Sequence, residues 1–248
     1  GPPVCDLLVL GRAFCGRGAK GLDLVAQGGD AVAVGVLTLL QPIPPVDDPR
    51  PRAGQLLVGG LAAEGLVQVT LDAGQLVDLL DQLPPQVCDL PRRSPWSESV
   101  DHYCRMVAAA LPDQSERLER MAQIITQGLS DVPTGNEPTH GDFHEGQIHV
   151  WNGQVCGILD VDTIGPGRRA DDLACLVAHL STVQRMNASQ ADRMRKILAA
   201  WVPVFDSRVD PIELRLRSAA VAISLATGPY RSQEDNWQAE TLSTVDAA

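Results

Sequence analysis

Lysine is almost missing from this chain of 248 residues: Lys20 and Lys196 are the only two. A protein that grips polyanions through a broad basic surface needs many more cations than that, and the formal net charge of −11 excludes a nucleic-acid binder of that kind. Aromatic residues are also scarce, at 4%, so the core has to be built from Leu, Val, Ala and Ile. No apolar run reaches bilayer length. The longest, "AVAVGVLTLL" at 31–40, is about half of what a spanning helix requires. No charged-then-apolar leader opens the chain. The six cysteines (Cys5, Cys15, Cys88, Cys104, Cys156 and Cys175) contain no C-x-x-C pair. That argues against a zinc ribbon or dithiol redox motif and, at this length, against a disulfide framework. Reduced, mostly buried thiols in a cytoplasmic protein without nucleic-acid or membrane partners are the expectation.

What is present reads as an α+β protein with two parts. Hydrophobic residues make up 44% and charged residues 21%, ordinary proportions for a globular chain. Residues 1–70 alternate short apolar runs such as "VCDLLVL" and "QLLVGGL" with turn formers, a strand-like texture. "QPIPPVDDPRPRAG" at 41–54 is a proline-rich loop. From about residue 74 the period changes to that of a helix. Leu76, Val77, Leu79, Leu80 and Leu83 repeat helically up to Pro84-Pro85. A second helix starts near Ser97. A third, "SERLERMAQIITQGL", sets Leu118, Met121, Ile124 and Ile125 on one face. Later helices are expected at 170–181, 188–202 and 211–226, and "RSQEDNWQAE" reads as a surface helix. The boundary falls near 72, giving parts 1–72 and 73–248.

Between the third helix and the later ones lies "PTHGDFHEGQIHV", residues 138–150, which holds three of the five histidines. "QIHVW" and "QVCGILDV" flank Asn152-Gly153, the strongest short hairpin signal. A tight hairpin brings its two ends together, so Asp142 and Gln147, before the first strand, are expected to meet Asp160, at the end of the second. Two carboxylates and an amide oxygen suit a hard cation such as Mg²⁺, which commonly brings phosphates with it. His140-Gly141-Asp142, then Gln147, then Asp160 also follow the arithmetic of a phosphotransferase loop, in which H-x-D-x-x-x-x-N precedes a metal-binding Asp. His149 alternates with Ile148 and Val150, which predicts a solvent-facing side chain, and His144 is expected to support the loop. Arg168 and Arg169 read as a solvated turn and Asp171 as an acid at a helix start.

"HGDFHEGQ", "ILDVD" and "DDLA", in that order and spacing, resemble the signature of the aminoglycoside phosphotransferase family. That family has a protein-kinase-like fold. Gln147 stands where aminoglycoside kinases carry Asn and where the maltokinase-type branch carries Gln. The resemblance implies a mainly helical C-terminal lobe with a catalytic hairpin and a short or incomplete β-rich N-terminal lobe. It implies Mg²⁺-dependent transfer of a γ-phosphoryl group from ATP or GTP to a hydroxyl of a small molecule, an aminoglycoside-like antibiotic or a sugar. Asp142 would then act on the acceptor hydroxyl, His140 would shape the loop, and Gln147 and Asp160 would ligate the metal. Asp162, two residues on, would add a carboxylate to the metal set if the strand ending points it there. Asp172 would tie a helix to the loop.

Two other classes stay open on the sequence. "GDFHEG" resembles the opening of a metallophosphoesterase, but the downstream Asn and His ligands of that class are missing. A pseudokinase binding module is the other. The nucleotide side is the awkward one, because no P-loop is present and a strand Lys in the usual order is missing. Lys20, in "GRGAKG", is the cofactor-binding candidate. The chain opens on Gly rather than Met, which raises the expectation that native residues precede it.

Overall fold

The computed structural model describes residues 8–10, 72–151, 154–182 and 188–248. Lys20, the Asn152-Gly153 dipeptide and the rest of residues 1–70 lie outside them. The described residues are mostly helical, with small sheets, and fall into two compact units: 8–10 with 146–163, and 72–145 with 164–248.

The first unit is a three-stranded sheet. β1 (Leu8–Leu10) runs parallel to β4 (Gln154–Leu159), which runs antiparallel to β3 (Ile148–Trp151), in the order β1-β4-β3. Trp151 stands opposite Gln154, so the two strands pair antiparallel as the hairpin signal predicts; the Asn152-Gly153 turn itself lies outside the described residues. A register shift between His149 and Val150 breaks the simple in–out alternation, and His149 is half-buried rather than solvent-facing.

The second unit is helical. α1 (Ala73–Asp81) begins where the Asp72 carboxylate accepts the Gly74 N–H at 3.1 Å, an ordinary N-cap. It stops ahead of Pro84, because a residue before proline is pushed out of the helical region. A short 3₁₀ turn, Trp96–Ser99, leads into α2 (Val100–Ala110), so the helix expected from Ser97 begins there in tighter form. α3 is Ser115–Gly128, and the two-stranded ladder of β2 (Glu137–Thr139) and β5 (Gly165–Gly167) follows. Then come α4 (Arg169–Thr182), α5 (Ala188–Asp206), α6 (Pro211–Leu225), α7 (Gly228–Arg231) and α8 (Trp237–Ala247). α6 starts on Asp210, whose carboxylate accepts the Glu213 N–H at 2.8 Å, with Pro211 at the first helical position, where its missing N–H costs nothing.

The core forms where α2, α3, α6 and α8 meet, through Val107, Leu118, Ile125, Ile223 and Val245. Each such side chain contributes about 2 kcal/mol by leaving water. Leu118 and Ile125 take the inward face of α3 as expected, but Ile124 is 62% exposed, one helical step off the stripe. Residues 231–240 are largely exposed, as a surface segment should be, but α8 runs on beyond them and buries Thr241, Thr244 and Val245. Among the described residues no helix is long and apolar enough to cross a membrane.

The β2–β5 ladder depends on a close backbone approach. A Cβ on Gly135 would overlap the Gly167 carbonyl, whereas one on Gly128 would meet only the flexible Leu216 Cδ1, at 2.5 Å. Gly135→Ala is expected to cost about 3 kcal/mol, because backbone cannot step aside as a side chain can. Gly128→Ala should stay within about 1 kcal/mol of the parent, since added helix propensity offsets the shift of Leu216. Urea unfolding of both variants checks this, and equal losses would contradict the close approach.

Candidate active site

In the helical unit the segment after β2 is held from below by one side chain. Asp172, on the first turn of α4, is fully buried. Its two oxygens accept the backbone N–H groups of His140 and Gly141, each at 2.9 Å. Burial raises its carboxyl, to about 6, against the lowering effect of those N–H groups and of Arg169. Arg169 lies 3.7 Å away. It also donates to the carbonyls of Pro138 (3.1 Å) and Leu80 (3.0 Å), which joins α1, β2 and α4. The expectation of a solvated turn at 168–169 is therefore wrong. Arg169 is buried, and Arg168 donates to both Glu213 oxygens, at 2.5 and 2.7 Å. A charge count cannot foresee this, because Glu213 and the Pro138 and Leu80 carbonyls lie more than 30 residues away.

Gly141 turns the chain with φ 84°, a conformation that glycine adopts without strain. The turn lets the Asp142 N–H donate back to His140 Nδ1 at 3.3 Å. The His140 ring is fully buried, edge-to-face with Phe143 at 6.0 Å. His140 thus fills the base of the loop, and the carboxylate that follows it stays reachable: the Asp142 side chain is 34% exposed. One of its oxygens takes a weak S–H contact from Cys175 at 3.8 Å, and the other lies 4.0 Å from His144 Nε2. Burial, with carboxylates around it, pushes the Cys175 thiol well up, so it stays protonated.

The hairpin unit holds the other candidates. Gln147 precedes β3 in a one-turn 3₁₀ helix, Glu145–Gln147, and its side-chain amide donates to Asp160 Oδ2 at 3.3 Å. The structure brings these two together as the hairpin argument predicts; Asp142 and His140 belong to the helical unit. Asp160 follows the last residue of β4 with φ 57°, a left-handed conformation that Asp tolerates better than most residues. This reversal ends the strand. Asp162, two residues past this strand ending, lies exposed on a 3₁₀ turn, Val161–Thr163. Lys20 lies outside the described residues.

Two groups escaped the sequence reading. His179, on α4, stacks on His144 with centroids 4.3 Å apart; burial first, then His144, brings its pKa down to about 4. Glu213 gathers Arg168 and Arg217. Burial alone would raise Glu213, but these two cations outweigh it and hold the carboxyl low.

Residues 47–201, more than half of the chain and inclusive of the loop, the hairpin and α4, match the profile of the phosphotransferase enzyme family. No curated protein matches the chain.

The Asp172 anchor gives a direct test of the loop. Asp172→Ala leaves two N–H groups without their acceptor and takes one counter-charge from Arg169, and each buried donor left unpaired costs about 1–3 kcal/mol. A loss of about 3 kcal/mol or more is expected in urea unfolding, with an unchanged denaturant slope. A loss below about 0.5 kcal/mol would show that the loop holds itself.

Proposed function

The chain belongs to the phosphotransferase enzyme family, and on that premise we propose that it moves the γ-phosphoryl group of ATP or GTP to a hydroxyl of a small molecule, an aminoglycoside-like antibiotic or a sugar, on a protein-kinase-like fold. Residues 1–72 serve as the nucleotide lobe and 73–248 as the catalytic lobe of a cytoplasmic enzyme. The observation that carries this reading is the fastening of the H-G-D loop by the D-L-A aspartate: Asp172 holds the His140 and Gly141 N–H groups, which leaves the Asp142 carboxylate presented and partly solvated.

Asp142 orients the acceptor hydroxyl and takes its proton as the acceptor oxygen bonds to the γ-phosphorus and the β–γ bridging bond breaks. The products are the phosphate ester and the nucleoside diphosphate, and the proton leaves Asp142 for solvent. The fixed loop makes this a matter of positioning, which is most of what phosphoryl transfer asks of a protein. His140 acts beneath, as a positioning residue. Gln147 and Asp160 fit a Mg²⁺ ion in their donor chemistry: their side-chain ends already meet at 3.3 Å, and a half-turn of the amide presents its oxygen beside a carboxylate oxygen. Mg²⁺ prefers such oxygen donors together with phosphate and water; bound there it would offset negative charge on the phosphates. Lys20 is the residue we assign to the phosphates from the other lobe, on sequence grounds. Asp162 adds a peripheral carboxylate.

The metal assignment is tested at Asp160. Asparagine keeps the left-handed backbone, since Asn visits that region readily, but it removes the charge. Asp160→Asn should weaken Mg-nucleotide binding at least tenfold in calorimetry, with an unchanged melting curve. Equal affinity with and without Mg²⁺, in both proteins, would remove the metal from this position.

Asp142→Asn tests the base. Turnover should fall roughly 10²–10⁴-fold, as for loss of a positioned base, while nucleotide affinity stays within about twofold, the pattern of an interaction used mainly in the transition state. The acceptor for this assay comes from a screen of sugars, aminoglycosides and macrolides. Near-normal turnover in the variant would take Asp142 out of the chemistry.

A further inference from the structure

Beside Asp142 the helical unit gathers donors that phosphoryl transfer does not use. His144 and Glu145 continue the loop, and His179 rises from α4 to face them. The two imidazole rings lie 7° from parallel. Glu145 Oε2 stands 3.9 Å from the Nδ1 atom of each ring. One carboxylate oxygen and two ring nitrogens thus form a triangle with every edge within 4.8 Å. That same Glu145 oxygen is buried and accepts no hydrogen bond. Leaving such an atom unmatched costs about 1–3 kcal/mol, and 3.9 Å is too long for either ring to satisfy it by donating. The arrangement calls for a cation between the three atoms.

We propose that His144, Glu145 and His179 form a binding site for a transition-metal dication, with Zn²⁺ the best match. Two imidazoles and one carboxylate are a familiar zinc set that keeps a fourth position open. Nitrogen donors select against Mg²⁺, which takes oxygen. Bonds of about 2.0–2.2 Å in a tetrahedral site put the donor atoms roughly 3.3 Å apart, so the two edges that meet at Glu145 have to close by roughly half an ångström from 3.9 Å. Rotation of the two rings about their Cβ–Cγ bonds supplies that movement and turns their lone pairs out of the parallel arrangement. Cys175 and Asp142 form a second compact donor group with His179.

The site has a built-in connection to the loop. His144 offers Nδ1 to the ion, while its Nε2 lies 4.0 Å from Asp142 Oδ2. Metal on Nδ1 fixes the ring proton on Nε2, aimed at the Asp142 carboxylate, in the arrangement by which a carboxylate commonly backs a metal-bound histidine. Occupancy would therefore restrain the Asp142 carboxylate that acts on the acceptor. That consequence rests on the reading of Asp142 as the base; the binding itself does not.

The experiment uses metal-stripped full-length chain with excess Mg²⁺ present throughout. Zn²⁺ is added in competition with a chromogenic chelator, and Co²⁺ is added in parallel to read ligand type from its visible absorption. One equivalent of Zn²⁺ per chain is expected, with a tetrahedral Co²⁺ spectrum. Glu145→Gln and His179→Asn should each weaken the uptake more than tenfold, with circular dichroism showing both folded. If His179→Asn fails to fold, Glu145→Gln and the parent Co²⁺ spectrum decide. No uptake above the Mg²⁺ background overturns the proposal. So does uptake that is unchanged in Glu145→Gln, since the ion would then sit elsewhere, on other thiols for example. A transfer assay is not needed for either outcome, so failure to find an acceptor leaves this test intact.

Discussion

Asp172 offers two oxygens, and both are taken by the backbone N–H groups of one two-residue stretch, His140-Gly141. This one carboxylate couples a helix to a loop that has no regular secondary structure of its own. β2 ends at Thr139, and the next regular element, the 3₁₀ turn, starts at Glu145. Without a fixed acceptor the N–H groups between them would go to water, and the loop would sample many shapes. With it, the chain reverses at Gly141, the His140 ring drops into the core, and Asp142 comes out on the accessible side. A full charge in a fully buried place is expensive. It is tolerated because Arg169 stands beside it and itself spans to the Leu80 and Pro138 carbonyls. Loop, α1, β2 and α4 thus share one electrostatic joint.

A second joint lies on the same helix turn. Asp171 accepts the Arg168 N–H at 3.2 Å and pairs with Arg217 at 2.5 Å. Arg217 also donates to Glu213 (2.7 Å) and to the Ser97 hydroxyl (3.0 Å). Burial raises the Asp171 carboxyl against the pull of Arg217. Two arginines and two acids enclosed in this way lock α4, α6 and the turn at Trp96–Ser99 into one register. Removing a single partner from such a set leaves an uncompensated buried charge, worth about 3–5 kcal/mol. The scarcity of lysine fits this use of cations, because the planar guanidinium can make several directed bonds at once and an ammonium cannot.

How much of this was legible beforehand depended on the range of the interaction. Helical periodicity marked α1, α3, α4 and α6, and Asn152-Gly153 marked the hairpin, since both are local signals. The H-G-D, hairpin and D-L-A order was read from its resemblance to a family signature, which is local in each of its parts. What failed was whatever a distant neighbour decides. Ile124 sits at the edge of a stripe whose limits are set by α6 and α8, and periodicity alone does not say where the edge falls. Arg168 and Arg169 looked like a solvated pair because Glu213 and the Leu80 carbonyl are remote in sequence. The direction of Asp162 depended on how the strand ends, and Asp160 ends it by turning to positive φ, a reversal that an Asp permits but does not announce.

The crowding of histidines into one short segment now divides by physical circumstance. His140 is enclosed and serves as a hydrogen-bond acceptor within its own loop. His149 sits half-buried on a strand with an irregular register. His144 is different, because it meets a second imidazole that arrives from 35 positions away and a carboxylate that comes next in the chain. A stacked pair of rings over one carboxylate oxygen gains little from packing alone, and most loops would fill that space with apolar atoms. The same α4 that anchors the loop through Asp172 supplies Cys175 one turn later and His179 two turns later. Residues at i, i+3 and i+7 share a face of a helix, so one face of α4 underlies the whole segment from His140 to Glu145. The rigidity that fixes Asp142 and the chemistry that surrounds it have the same structural source.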